Sequence, residues 1–221
     1  MQHLRQQDYC QGARAVAPLA VAIGAIGILF GYTATRAGFS PLAAVVMSGT
    51  TFAGSAQFAA VAVLAAGGTA WVAVSASALL NARYVPLGLA IAPALRGRVW
   101  KRLLLAQFVV DEAWAVAYIG EGRFSCERLV GSGVVLYATH TTATAIGAAA
   151  AAVPGDLSAS GLDAAFPALF VVLLWPHLRG ISRVAAALLG ALIALSLTPL
   201  TPPGIPVVAA AFASFLRAKS A

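Results

Sequence analysis

Ala78-Leu79-Leu80-Asn81-Ala82-Arg83-Tyr84-Val85-Pro86-Leu87-Gly88 carries a single charge, Arg83, near the centre of an apolar run over residues 69–95. From Ala37 to Leu95 no other charged residue occurs. The run is long enough to cross a hydrocarbon core, which takes about 20 residues of helix. A guanidinium at that depth costs roughly 2.5–3.5 kcal/mol on insertion scales. Groups on neighbouring segments must compensate for it, so Arg83 points both to the class of protein and to the place where its function is to be sought.

The composition around that stretch agrees. Of 221 residues 61% are hydrophobic and only 10% charged, with a mean hydropathy of +0.88. A soluble domain is about half apolar and about a quarter charged, and no single water-soluble core could hide the excess. The sequence predicts an all-α integral membrane protein, a polytopic helical bundle within one transmembrane domain spanning residues 1–221.

The net charge of +7 does not point to nucleic acid. Basic residues cluster between apolar runs, at Arg96, Arg98, Lys101 and Arg102, at Arg179 and Arg183, and at Arg217 and Lys219. That is the distribution by which basic loops set membrane topology, and no basic groove interleaved with aromatics accompanies it. The polar start, Met1 to Cys10, lacks the form of a cleavable signal, so none is expected. Cys10 and Cys126 lie far apart in polar segments, and no metal-ligand spacing is present; neither a metal nor a cofactor is expected.

Eight apolar segments can be marked, at about residues 15–34, 41–66, 69–95, 103–119, 129–153, 162–175, 184–200 and 205–216. Phe39-Ser40 opens the second and Phe124-Ser125 the fifth; Pro93-Ala-Leu-Arg-Gly97 closes the third and Pro176-His-Leu-Arg-Gly180 the sixth. The matched offsets suggest two three-segment repeats, about 15–97 and 103–180, followed by a C-terminal helical hairpin at about 184–216, and internal repeats are a common plan among transporters. The middle segment of each repeat is interrupted by polar residues, Ser48–Gln57 in one and Tyr137–Thr144 in the other. Broken or re-entrant second and fifth segments are therefore expected. The other reading is a continuous helix with a small-residue packing face. If both segments are re-entrant, the basic loop from Arg96 to Arg102 joins the other basic segments on one side, as the positive-inside rule prefers; ordinary crossing is the commoner behaviour.

Four segments carry polar groups at similar depth: Gln57 in the second, Arg83 in the third, Asp111 and Glu112 in the fourth, His140 in the fifth. A shared midplane site is the usual address of a transported solute. Gln107, Asp111, Trp114 and Tyr118 follow i, i+4, i+7, i+11 on the fourth segment, which is one helical face, while Asn81 and Arg83 point to nearly opposite sides of the third. Arg83 has two readings, a buried ion pair with Asp111 or Glu112 that holds the bundle, or a receptor for a substrate carboxylate beside backbone N–H groups at a helix break. The two are compatible if the pair opens, with Asp111 then a proton-carrier candidate. His140 reads as a packing residue or a coupling group, and the four tryptophans as interface anchors.

A membrane channel would show rings of like charge or a filter loop, and a structural subunit would not need polar groups at matched depth. An intramembrane serine hydrolase would need a nucleophile such as Ser55 within reach of His140, yet no nucleophile elbow or zinc motif occurs. No catalytic residue is expected.

Several stretches together carry a family resemblance: Phe30-Gly-Tyr32 with Ala37-Gly38, Phe52-Ala-Gly-Ser-Ala-Gln57, Asn81-Ala-Arg83, Asp111-Glu112, and Gly161-Leu-Asp163 with Ala168-Leu-Phe170. In these the chain resembles the AzlC family, the large subunit of branched-chain amino-acid exporters of bacterial inner membranes. The resemblance departs at Tyr84, where the family usually has His, and near His140, where it usually has Trp; both bear on substrate choice. It implies a multi-pass inner-membrane permease exporting leucine, isoleucine, valine or analogues, driven by protons, with a small AzlD-like membrane subunit as partner. Gly54, Ser55, Gln57, Asn81, Arg83, Asp111 and Glu112 are the functional positions it implies.

Overall fold

The structure, a computed structural model, describes residues 2–152, 178, 181–201 and 205–212. Its elements are helices: α1 (Gln2–Ala15), α2 (Ala17–Arg36), α3 (Pro41–Thr51), α4 (Gly54–Ala65), α5 (Ala70–Asn81), α6 (Tyr84–Ile91), α7 (Val99–Ala106), α8 (Asp111–Ala117), α9 (Cys126–Ala152), α10 (Ile181–Leu197) and α11 (Ile205–Phe212). Among the described residues the only β pairing is a single bridge between Tyr118 and Phe124. This is the all-helical architecture the composition predicts.

Among the described residues two helices, Ala17–Arg36 and Cys126–Ala151, are long and apolar enough to cross a membrane alone. They are α2 and α9, and they pack lengthwise as the central pair. Glycine brings them together. A Cβ at Gly31 would meet the Thr144 carbonyl, and one at Gly147 the Ile28 carbonyl, so the two backbones approach as only small residues allow. Against this pair Phe30 packs edge-on to Phe58 of α4, ring centres 5.4 Å apart, and α1 is tied to α9 by Asp8 and Arg128 at 3.1 Å.

Local signals set the helix starts. Ser40 accepts the Ala43 N–H at 3.1 Å, with Pro41 in the first turn of α3. Ser125 accepts the Arg128 N–H at 3.3 Å at the head of α9. The serines of the two sequence-matched Phe-Ser pairs thus do the same capping work.

The breaks fall where the sequence pattern only partly placed them. The second segment does break, at Phe52-Ala53: Phe52 sits in the left-handed region at φ 41 and Ala53 is extended. The fifth does not. α9 runs without interruption from Cys126 to Ala152, which corrects the expectation of a broken fifth segment. Its hydroxyls bond back to their own helix, Ser132 to the Arg128 carbonyl at 2.7 Å and Thr144 to the His140 carbonyl at 2.9 Å, and its small residues form the packing face.

Two breaks stand instead in the third and fourth segments. The chain bends by 48° between Ala70–Asn81 and Tyr84–Ala94. Pro86 has no N–H with which to reach the Ala82 carbonyl, and Val85 takes that carbonyl at 3.1 Å instead. In the fourth segment α7 stops at Ala106 and α8 begins at Asp111, because Val110 is extended (φ −114, ψ 161) and an acidic pair favours the first turn of a new helix. Gln107, Asp111, Trp114 and Tyr118 consequently do not share one helical face. At 11 and 12 residues α3 and α4 are each too short to cross the roughly 30 Å core alone.

At the C-terminal end α10 and α11 pack on each other and α11 also touches α5. The sixth apolar segment, and with it the close of the second repeat, lies outside the described residues.

Candidate functional site

The three breaks converge on one cavity of about 330 Å³. Gly54 and Ser55 reach it from the start of α4, Arg83 and Tyr84 from the bend before α6, Asp111 and Glu112 from the first turn of α8, and His140 from α9. The rest of its lining is aliphatic and aromatic, from Ile23, Ile26, Phe52, Val110 and Leu136. Six of the eight sequence-derived candidates therefore line a common space.

Arg83 is the hub. Its Nη2 lies 3.1 Å from Asp111 Oδ2 and donates to Ser55 Oγ at 3.3 Å and to Tyr84 Oη at 3.2 Å. The guanidinium also sits 5.1 Å from the centre of the Tyr84 ring, a cation–π geometry. The side chains of Arg83 and Asp111 are 45% and 44% exposed, so the pair is not sealed in the core: it opens on the cavity. Both can meet a solute without being dug out of packing.

Gln57 and His140 form a second, buried pair. Gln57 Oε1 and His140 Nε2 are 3.2 Å apart, and Phe30 and Phe52 flank the imidazole, with ring centres at 6.4 and 5.9 Å. Gln57 is not among the residues that line the cavity; it holds the imidazole of His140, which is. Its amide Nε2 is buried without a hydrogen-bond partner. Ser55 is bonded to Arg83 and His140 to Gln57.

Asn81 stands apart. It lines a separate cavity of about 290 Å³ with Thr51, Phe52, Tyr84, Gly88 and Gln107. That placement agrees with the opposite directions expected of Asn81 and Arg83.

Several residues have roles that the sequence does not show. Gln107 donates to the Gly49 and Thr50 carbonyls at 3.3 and 3.1 Å, and Tyr137 donates to the Gly49 carbonyl at 2.9 Å. Together they hold the C-terminal end of α3 at its break. Trp114 is no interface anchor: its indole donates to the Leu87 carbonyl at 3.2 Å and its ring packs on Phe124 at 5.0 Å. Trp71 and Trp100 are exposed, as anchors would be.

Comparison with known proteins adds to this geometry. A family model described as AzlC protein matches residues 18–153, more than half of the chain and every element that lines the cavity. Inner membrane protein YgaZ of Escherichia coli is 31% identical over 171 residues, covering 73% of this chain and 65% of that protein. The chain thus spans just under two thirds of the length of YgaZ. An uncharacterized membrane protein of Archaeoglobus fulgidus is 28% identical over 207 residues, 89% of this chain and 87% of that protein. No solved structure matches.

Proposed function

The chain belongs to the AzlC family, and from that premise we propose that it is a secondary transporter subunit of the bacterial inner membrane. Its cargo is a branched-chain amino acid, leucine, isoleucine, valine or an analogue. The observation that carries the reading is the mixed lining of the cavity, in which Arg83, Asp111 and Glu112 stand among aliphatic and aromatic side chains. A zwitterion with an apolar side chain needs both kinds of surface.

At about 330 Å³ the space is at the small end of ligand sites, which run from roughly 300 to 1,000 Å³. It suits a single amino acid. The substrate carboxylate competes with Asp111 for the guanidinium of Arg83, a pairing in which Arg is favoured over Lys. The substrate ammonium meets the carboxylate that this releases. The apolar wall ranks branched chains only weakly, by about 1–3 kcal/mol per methylene. Export is coupled to proton entry through a carboxylate of the site. The small AzlD-like partner belongs to the same proposal and rests on the family resemblance.

The test is leucine efflux from loaded vesicles of cells that make the chain and its partner. Acid outside should accelerate loss of labelled leucine relative to vesicles lacking the chain. Equal loss from both would overturn the reading.

A further inference from the structure

A third cavity, of about 390 Å³, lies against the start of α9 and shares no lining residue with the two described above. Arg96 and Lys101 bring two positive charges to its lining, and Glu127 brings one negative. Ser125 donates to Glu127 Oε2 at 3.5 Å. Arg98 and Arg102 stand exposed on the same segment as Arg96 and Lys101, and no acid lies among them. The segment that walls this cavity is therefore strongly cationic.

α7 gives Lys101 and Leu105 to that lining, and none of its residues is buried. Lys101 and Leu105 are one turn apart and share a face. Val99, Trp100, Leu103 and Leu104 lie off that face and are 72, 60, 68 and 63% exposed. A helix this short is marginal unless something packs on it. Across the cavity stands a helix of the other character, the polar α1, whose Tyr9 also lines the space. It crosses the start of α9 closely: a Cβ at Gly12 would meet the Arg128 carbonyl, and one at Gly131 the Tyr9 carbonyl. The cavity thus lies between a polar helix and one with an apolar face turned outward. In a bilayer that is the level of the lipid headgroups, where an exposed Trp beside basic residues also belongs.

We propose that this cavity holds the headgroup of an anionic phospholipid, such as phosphatidylglycerol, with its acyl chains along the exposed apolar face of α7. The phosphate diester meets the Arg96 guanidinium and the Lys101 ammonium, as acidic headgroups meet basic pockets between membrane helices. Hydroxyls of the headgroup can donate to Glu127. A soluble anion would use the two cations and leave the apolar face of α7 bare; a lipid uses both. The site is independent of the solute in the Arg83 cavity.

Cys126 lines the cavity and reports its occupancy. The full chain carrying Cys10→Ser is purified in an uncharged detergent and reacted with N-ethylmaleimide, an uncharged thiol reagent. Dioleoyl phosphatidylglycerol should slow alkylation of Cys126, while dioleoyl phosphatidylcholine and glycerol 1-phosphate at the same concentration should not. Arg96 and Lys101 are exposed, so their substitution spares the core. Arg96→Gln and Lys101→Gln should each raise the half-protecting concentration of phosphatidylglycerol about fivefold. Lys101→Arg keeps the charge and should keep the protection, which separates loss of charge from loss of fold. Arg36→Gln removes one charge at the last residue of α2 and should change nothing.

Equal alkylation in the two lipids overturns the proposal, and so does an unchanged half-protecting concentration in both Gln variants. Protection by glycerol 1-phosphate as strong as that by the lipid would make this a site for soluble anions and overturn the lipid. None of these readouts involves leucine, so failure of the lipid site and failure of the transport reading are told apart.

Discussion

Arg83 Nη2 and Asp111 Oδ2 lie 3.1 Å apart, across two helix breaks, with both side chains close to half exposed to the cavity between them. A pair so exposed adds at most about 1 kcal/mol to stability. Its removal should therefore leave the fold and damage the function. Arg83→Ala and Asp111→Asn should each insert at wild-type levels, with a thermal midpoint in detergent within about 2–4 °C of wild type, while leucine efflux falls to background. Wild-type efflux by either variant would remove that residue from the site.

Why Arg83 was legible and other parts were not follows from where each signal resides. A lone guanidinium in an apolar run is costly wherever it sits, so the sequence alone marks it. The break at Phe52-Ala53 was readable from the Gly, Ser and Thr around it. The same residue types in Tyr137–Thr144 misled, because a hydroxyl that bonds to its own helix and one that marks a break look identical in sequence. What separates them is the partner surface, here Gly27 and Gly31 of α2. The break before Asp111 was hidden by its apolar flank, Phe108-Val-Val110, whose extended end no periodicity betrays. The role of Gln107 and Tyr137 as ties to α3 was not legible because their shared target, the Gly49 carbonyl, exists as an open acceptor only once α3 has ended.

The buried Gln57–His140 contact makes a different prediction, about stability. Gln57 is fully buried and its Oε1 meets His140 Nε2 at 3.2 Å. Gln57→Leu keeps the volume but strands a buried ring nitrogen, which costs about 1–3 kcal/mol. Replacing both partners, with Gln57→Leu and His140→Phe together, should recover part of that loss, since neither member of the contact is then stranded by the other. A double variant as unstable as the sum of the singles in thermal melts would show that the contact carries no coupling.

The partner subunit is tested by reconstitution. The chain alone in liposomes should show little leucine counterflow, and co-reconstitution with the small AzlD-like protein should restore it. Robust counterflow by the chain alone would refute the two-subunit reading while leaving the cavity chemistry untouched.

The joint between α2 and α9 sets the last expectation, because the cavity wall hangs on it: Ile23 and Ile26 come from one helix, Leu136 and His140 from the other. A Cβ at Gly31 would collide with the Thr144 carbonyl and lie 2.7 Å from the Ala148 nitrogen. Both obstacles are backbone, so no rotamer change can make room and the helices must part. Overpacking of this kind costs about 1–3 kcal/mol or more, and it parts the walls of the site as well. Gly31→Val should lower the thermal midpoint and weaken leucine protection of a cysteine at position 54 together. Gly88→Ala is the control: its Cβ enters open space, and a helical Gly→Ala change is favourable by up to about 1 kcal/mol, so its midpoint should hold or rise. A Gly31→Val protein as stable as Gly88→Ala would mean that the close approach of α2 and α9 does not hold the bundle together.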